Sequence, residues 1–106
     1  MKLGIVLHSD DAEVVWNVFR LANLAIGEKD EVRMFLLAKG VDYEGLSTDR
    51  FNIMHLAQDF VDNGGDIMAC GTCLKLRQKD GSELCPISNM QDLYRLIKES
   101  DRVLTF

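Results

Sequence analysis

Short apolar segments of strand length alternate with helix-compatible segments along the whole chain. Strands that alternate with helices predict a parallel sheet covered by helices on both sides. We therefore expect one domain over residues 1–106, a three-layer α/β/α fold with a mainly parallel sheet of four or five strands. The expected strands are 3–7, 31–38, 66–69 and 102–106, with a short edge strand near 84–87. The first expected helix covers residues 12–28. The second is capped by Thr48 or Asp49 and ends at residue 62, and a short third helix begins at residue 71 or 72. The last helix covers residues 88–99 and is capped by Ser88.

Three of the predicted helices carry extensive apolar surface. In the first helix the polar side chains form a narrow stripe of Glu13, Asn17 and Arg20, and a helix this apolar must be buried on more than one side. The second helix carries Phe51, Ile53, Met54, Leu56, Phe60 and Val61, and the last one has an inner face of Met90, Leu93, Leu96 and Ile97. Exposed apolar area beyond a few hundred Å² usually marks an interface, so we expect a homo-oligomer.

Parallel strands place their carboxyl ends at one edge of the sheet, and ligand sites in such folds lie beyond that edge. The residues that leave the predicted strands at this edge are His8 and Ser9, then Lys39 and Gly40, then Cys70 and Gly71. Residues 39–49 contain two glycines and several polar residues, which predicts a long loop of the kind that is often functional. We therefore expect these three segments to form one site.

Two cysteines follow the third predicted strand, in the segment Cys70-Gly71-Thr72-Cys73. A thiol between a strand and the start of a helix lies near the helix amide groups, which favour the thiolate, and nearby cations such as Lys75 or Arg77 favour it further. The thiolate is the form that attacks sulfur or binds a metal. Sulfur chemistry at Cys70 is therefore the leading hypothesis, with Gly71, Thr72 and Cys73 as its immediate support.

Other interpretations of the cysteines stay open. Cys70 also suits the role of a small buried apolar residue at the end of a strand. Cys70 and Cys73 form a C-x-x-C pair, which is found in thioredoxin-like dithiol redox sites. The three cysteines Cys70, Cys73 and Cys85, with His8 or His55, would supply zinc ligands. The second paired motif of strong zinc sites is missing, so we expect no metal.

The polar residues near the expected site have ordinary roles as well as catalytic ones. His8 suits a solvated turn residue or a proton shuttle, and Lys39 suits a solvated loop residue or an attractor of an anionic donor. The run Ser9-Asp10-Asp11 suits a helix cap better than a metal site. Neither a dinucleotide-binding nor a P-loop fingerprint is present, and we expect no cofactor.

Charge and hydropathy exclude several classes of protein. The chain has 12 Lys and Arg against 17 Asp and Glu, a net charge of −5, and its basic residues are scattered, which disfavours nucleic-acid binding. No apolar run approaches the roughly 20 residues of a membrane span. The apolar run before His8 is too short for the core of a signal peptide, so we expect a cytoplasmic protein. Three cysteines are an odd number, and in a reducing compartment they stay mostly free.

The segment Cys70-Gly71-Thr72-Cys73-Leu74-x-x-Arg77 after an apolar strand resembles the DsrE/DsrF-like family of small sulfur-relay proteins, in particular its YchN-like branch. Residues 2–10 are similar to the first strand and turn of that family, and residues 101–106 are similar to its last strand. One position departs from the family pattern, because Gln78 follows Arg77 where the family usually has glycine. The resemblance implies a flavodoxin-like fold of the DsrEFH type and closed homo-oligomers, trimers or hexamers.

In that family the first cysteine of this segment accepts sulfur, and the resemblance gives this role to Cys70. It implies a small cytoplasmic sulfur carrier that takes persulfide sulfur from a donor protein and passes it to an acceptor protein, without direct contact with nucleic acid or membrane. Such a carrier is sulfurtransferase-like at most and need not turn over any small molecule. Cys73 could resolve a persulfide, tune Cys70 or only pack. Two rivals remain, an oligomeric ligand- or partner-binding module with structural cysteines and a C-x-x-C dithiol redox protein.

Overall fold

A five-stranded parallel sheet forms the centre of the computed structural model, which describes residues 1–106. The strands are β1 (Lys2–Leu7), β2 (Glu31–Leu36), β3 (Asp66–Cys70), β4 (Ile87–Ser88) and β5 (Arg102–Thr105). The helices are α1 (Ala12–Gly27), a 3-10 helix (Ala38–Leu46), α2 (Ile53–Asp62), α3 (Gly71–Leu76) and α4 (Met90–Glu99). The strand order is β4-β3-β2-β1-β5, and every neighbouring pair is parallel. The predicted α/β fold is confirmed.

The two faces of the sheet are covered unequally. Helices α1 and α2 and the 3-10 helix cover one face, where 20 buried residues form the main core. Helix α4 lies on the other face, where Phe35, Cys70 and Leu96 form a smaller buried cluster. Met34, Phe35 and Leu36 are all fully buried, because successive side chains of a strand point to opposite faces and both are covered here. Cys70 therefore belongs to the thinly covered face.

Side-chain caps set the first residue of each long helix. Asp11, the last residue of the predicted cap run Ser9-Asp10-Asp11, caps α1, since its Oδ1 accepts a hydrogen bond from the Val14 amide at 3.0 Å. The predicted caps of the other two helices were wrong by one to four residues. Asn52 caps α2 through the His55 amide, whereas Thr48 accepts from the Phe51 amide in a preceding turn. Asn89 caps α4. Short polar side chains compete for nearby amides, and local sequence did not decide between them.

Residues 39–49, predicted as a loop, lie mostly in the 3-10 helix. Its side chains Val41 and Tyr43 are buried in the main core, so this segment is fixed on the sheet. The segment was predicted as a loop because its two glycines and several charges are typical of loops. It forms a short helix because two of its side chains are buried, and tertiary packing stabilises helices more than local composition does.

Part of the apolar surface expected to be buried is exposed in the single chain. Leu24 of α1 is 62% exposed, and on α4 Met90 and Ile97 are 57% and 48% exposed. The prediction that Met90 and Ile97 face the core was therefore wrong, since only Leu96 of that face is fully buried. Helix α4 packs on the sheet through Leu96 and the half-buried Leu93, which leaves Met90 and Ile97 outside the contact. None of the helices combines the length and apolar character needed to cross a membrane.

Gln78 has a left-handed backbone with φ of 55°, which explains the glycine usual at this position in the family that the segment resembles. A non-glycine residue in this conformation carries strain of about 1–2 kcal/mol. Glycine also costs about 0.4–1 kcal/mol of unfolded-state entropy. We therefore expect Gln78→Gly to raise the free energy of unfolding by roughly 1 kcal/mol in urea denaturation. Gln78→Ala removes the same side chain and keeps the strain, so a gain of equal size in that variant would contradict the explanation.

Candidate functional site

The carboxyl ends of β1, β2 and β3 meet at one edge of the sheet, as expected. The Leu37 amide donates to the Leu7 carbonyl at 3.0 Å, which joins the end of β2 to the end of β1. Gly40 lies so close to β1 that a Cβ atom there would be 2.2 Å from the Leu7 carbonyl oxygen. The Ala38 amide donates to Cys73 Sγ at 3.2 Å, which joins the end of β2 to the segment after β3. Backbone groups, rather than polar side chains, thus make most of these links.

Cys70 is the last residue of β3 and also the N-cap of α3. Its backbone is not helical, with φ of −58° and ψ of 114°, and this conformation turns the side chain over the first turn of the helix. There Cys70 Sγ accepts a hydrogen bond from the Cys73 amide at 3.3 Å. Cys70 therefore lies between the end of a strand and the amides of a helix start.

The expected lowering of the Cys70 pKa does not occur in this structure. Cys70 is only 3% exposed, and burial raises the pKa of its thiol above the usual range because burial disfavours the charged form. The nearby Cys73 thiol raises it further, while the backbone amides of Cys73 and Thr72 act in the opposite direction. Burial therefore favours the thiol form of Cys70 over the thiolate, and the helix amides oppose this only in part.

Arg77 has a different partner from the one expected. Its Nε lies 3.1 Å from Asp42 Oδ2, and its guanidinium also donates to the Cys73 carbonyl at 3.1 Å. Lys79 also pairs with the Asp42 carboxylate. The hydrogen bond that Asp42 accepts from Lys79 lowers the pKa of Asp42, and the one from Arg77 lowers it to a smaller extent. These bonds tie the end of α3 to the 3-10 helix. Arg77 therefore positions the cysteine segment. Lys75, the other cation expected near the thiol, is exposed.

Cys73 is half-buried and contacts both clusters of buried side chains. Its hydrogen-bond donor, Ala38, has φ of 51°, a left-handed conformation that an alanine rarely adopts. Such strain persists only where surrounding structure enforces it, and it is common at functional sites. Sequence reasoning missed Ala38 because an alanine gives no chemical signal, and it missed Asp42 because that carboxylate lies 35 residues from Arg77 in the chain.

The remaining residues that the sequence predicted for the site are Gly71, Thr72, His8, Lys39 and Ser9. Gly71 allows a close approach of β4, since a Cβ there would lie 3.1 Å from the Ser88 carbonyl oxygen. Thr72, His8 and Lys39 are exposed, and the Ser9 hydroxyl accepts from the Asp11 amide at the start of α1. The chain therefore presents two sulfur atoms and a set of backbone amides at this edge, with no acid or base side chain held against them.

The structure does not bring together the residues of the zinc hypothesis. Cys85 is buried in the main core, on the opposite face of the sheet from Cys70, and His55 pairs with Asp59 on the surface of α2 at 3.4 Å. No group of three His, Cys, Asp or Glu side chains is close enough to hold a metal ion. Burial, with smaller contributions from Glu44 and Asp66, raises the pKa of Cys85 to about 12. Cys85 is therefore a core residue.

These environments predict the order in which the thiols react with iodoacetamide at pH 8. Cys73 should react first because it is the most accessible thiol, and Cys70 should react second. Cys85 should react at least about tenfold more slowly than Cys73 because it is buried and protonated. Trypsin cuts after Lys and Arg, so residues 51–75 carry both Cys70 and Cys73 while Cys85 is released in residues 80–95. Fragment spectra of timed samples measure the order, and early labelling of Cys85 in the folded protein would contradict it.

Comparisons with known proteins agree with this fold and with the family resemblance. An uncharacterized protein of Methanopyrus kandleri is 33% identical over 100 residues, covering 89% of this chain and 83% of that protein. An uncharacterized protein of Methanocaldococcus jannaschii is also 33% identical, with 89% and 88% covered. A conserved protein of unknown function from Bacteroides thetaiotaomicron has the same fold, with a TM-score of 0.78 and 17% identity over 99% of this chain and 94% of that one. The whole chain, residues 1–106, matches the DsrE/DsrF-like family, and it therefore belongs to that family.

Proposed function

We propose that this protein is a cytoplasmic sulfur carrier in which Cys70 accepts sulfur from a persulfide-bearing donor protein and delivers it to an acceptor protein. The observation that carries the proposal is the place of Cys70, at the carboxyl edge of the sheet with its sulfur over the first turn of α3. Membership of the DsrE/DsrF-like family supports it, since that family is related to sulfur relay.

The loading step is a thiol exchange. The Cys70 thiolate attacks the outer sulfur of the donor persulfide, a bond forms between Cys70 Sγ and that sulfur, and the donor leaves as a thiolate. The product is a persulfide on Cys70, and delivery to the acceptor repeats the exchange in the opposite sense. No oxidant, reductant or cofactor is consumed.

Burial of Cys70 shapes this mechanism. A thiol that is 3% exposed and held protonated by burial is protected from adventitious oxidation. A donor protein that docks on the α3 edge has to displace the covering side chains, and the amide of Cys73 then remains to stabilise the thiolate. The resting carrier therefore reacts slowly with small sulfur donors, and docking of a partner protein accelerates the exchange.

The proposal is tested by loading the purified, reduced protein with glutathione persulfide and measuring its intact mass. We expect one adduct of about 32 Da, the mass of one sulfur atom, which dithiothreitol removes. Peptide mapping should place the adduct within residues 51–75. The proposal fails if no adduct forms, or if the only adduct lies on the peptide that contains Cys85.

A second candidate function, dithiol redox exchange, is favoured by the proximity of the two thiols. Cys70 Sγ accepts a hydrogen bond from the amide of Cys73 itself, and C-x-x-C pairs at helix starts are common in redox proteins. This function needs only disulfide formation between the two cysteines. This function is supported if oxidised glutathione forms the internal disulfide rapidly while glutathione persulfide gives no sulfur adduct at any time, because only a carrier passes through the loaded state.

We also propose that the carrier is a homo-oligomer, a trimer or a hexamer. Leu24, Met90, Tyr94 and Ile97 are each more than 45% exposed on the outer surfaces of α1 and α4. Leu24 lies on the opposite side of the sheet from the three α4 side chains, so two separate surfaces carry exposed apolar groups, and exposed apolar surface favours association. Light scattering at micromolar concentration should give a mass several times 12.0 kDa, and a monomer would contradict the proposal.

A further inference from the structure

The two sulfur atoms at the carboxyl edge are held next to each other by the start of α3. Cys70 is the N-cap and Cys73 lies three residues further on, within the first turn of the helix. Residues three apart on a helix have Cβ atoms about 5–6 Å apart, somewhat more than the 3.5–4.5 Å of a disulfide. The non-helical backbone of Cys70 brings its sulfur back to 3.3 Å from the Cys73 amide nitrogen, so the two thiols belong to neighbouring residues of one tight turn.

Cys73 is anchored more firmly than a packing residue requires. The strained Ala38 donates its amide to Cys73 Sγ at 3.2 Å, and Arg77, held by Asp42, donates to the Cys73 carbonyl at 3.1 Å. The hydrogen bond from the Ala38 amide fixes the position of the Cys73 sulfur. Cys73 is also the most accessible of the three thiols, whereas a cysteine that only fills space is normally buried.

We propose that Cys73 is a resolving thiol that discharges the persulfide on Cys70 as hydrosulfide. This inference rests on the proposed function, because it begins with a loaded Cys70. The Cys73 thiolate attacks Cys70 Sγ, the bond between Cys70 Sγ and the terminal sulfur breaks, and a Cys70–Cys73 disulfide forms. The terminal sulfur leaves with the bonding electron pair and its proton as hydrosulfide, and the thiol proton of Cys73 passes to water. An external dithiol then reduces the disulfide and returns the carrier to its starting state.

The consequence is a limit on the lifetime of the loaded carrier. Delivery to an acceptor competes with internal discharge, so sulfur that is not collected is released as hydrosulfide. An acceptor that binds the α3 edge and moves Cys73 away from Cys70 would suppress the discharge, which couples sulfur retention to the presence of a partner.

The test loads the parent, Cys73→Ser and Cys85→Ser proteins with glutathione persulfide, removes excess reagent without oxygen, and follows intact mass and free hydrosulfide over time. For the parent we expect the adduct of about 32 Da to give way to a protein about 2 Da lighter than the reduced form, with one equivalent of hydrosulfide. Cys85→Ser should do the same. Cys73→Ser should keep its adduct at least about tenfold longer and release no matching hydrosulfide.

Several outcomes would overturn the inference. It is wrong if Cys73→Ser loses its adduct as fast as the parent, or if the parent loses sulfur without a disulfide inside residues 51–75. Cys73→Ala, checked for folding by circular dichroism, replaces Cys73→Ser if the serine variant does not fold. The adduct present at time zero tests the proposed function separately, because a carrier that loads and keeps its sulfur contradicts only the resolving role of Cys73.

Discussion

Replacing Cys70 by serine is expected to abolish the sulfur adduct on the strand-end residue and to leave at most a minor adduct on the accessible Cys73. Serine keeps the size of the side chain and its hydrogen bond from the Cys73 amide, but a hydroxyl cannot form a persulfide. Cys70 is the thiol that combines the end of a strand with the amides of a helix start. Loading from glutathione persulfide, read as intact mass after a fixed time, measures the effect.

Cys85→Ser is the matched control, since it removes a buried cysteine on the other face of the sheet. This control should load as the parent does, although the buried hydroxyl lowers its stability. If Cys70→Ser gains the sulfur adduct as readily as the parent, the assignment of Cys70 is wrong and Cys73 becomes the first acceptor. Loading lost equally in both variants would point to damaged folding.

Replacing Gly40 by alanine should be the most damaging single-methyl change at this edge of the sheet. The new Cβ atom would lie 2.2 Å from the Leu7 carbonyl oxygen and 2.8 Å from the Leu7 carbonyl carbon. These are backbone atoms of a central strand, so they cannot turn aside as a flexible side chain would. We expect the free energy of unfolding to fall by about 3 kcal/mol in urea denaturation, the upper range of overpacking. The 3-10 helix would also shift, and sulfur loading should slow.

Gly45→Ala provides the control for Gly40→Ala. Both glycines lie in the same 3-10 helix, but a Cβ atom at Gly45 would meet nothing within 4 Å. Its free energy of unfolding should change by less than about 1 kcal/mol, in the stabilising direction if at all. Equal stability of the two alanine variants would show that the close approach of the 3-10 helix to β1 places no constraint on the fold.

Local sequence was sufficient to predict much of this protein. Apolar runs bounded by turn residues identified the long strands, and alternation with helices predicted the α/β fold, because both signals arise within short windows of the chain. The carboxyl-edge position of Cys70 followed from the same argument, since parallel strands end on one side of a sheet. Caps and short segments were predicted less well. The predicted caps Thr48 and Asp49 are chemically similar to the observed cap Asn52. The 3-10 helix depends on burial of Val41 and Tyr43 rather than on its own composition.

The chemical state of the site was decided by tertiary structure. The order β4-β3-β2-β1-β5 brings Ala38 to Cys73 and Asp42 to Arg77, pairs that are each 35 residues apart in the chain. The sequence alone predicted that a cation such as Arg77 lies beside a Cys70 thiol of low pKa. In the fold, Arg77 instead pairs with Asp42 and anchors α3, and Cys70 is buried in a cluster with Leu96 of α4. Desolvation of an ionisable group depends on everything packed around it, whereas a motif reports only its neighbours along the chain. The sequence therefore determined which atoms could react, and the packing of distant segments determined that Cys70 rests protonated beside a second thiol.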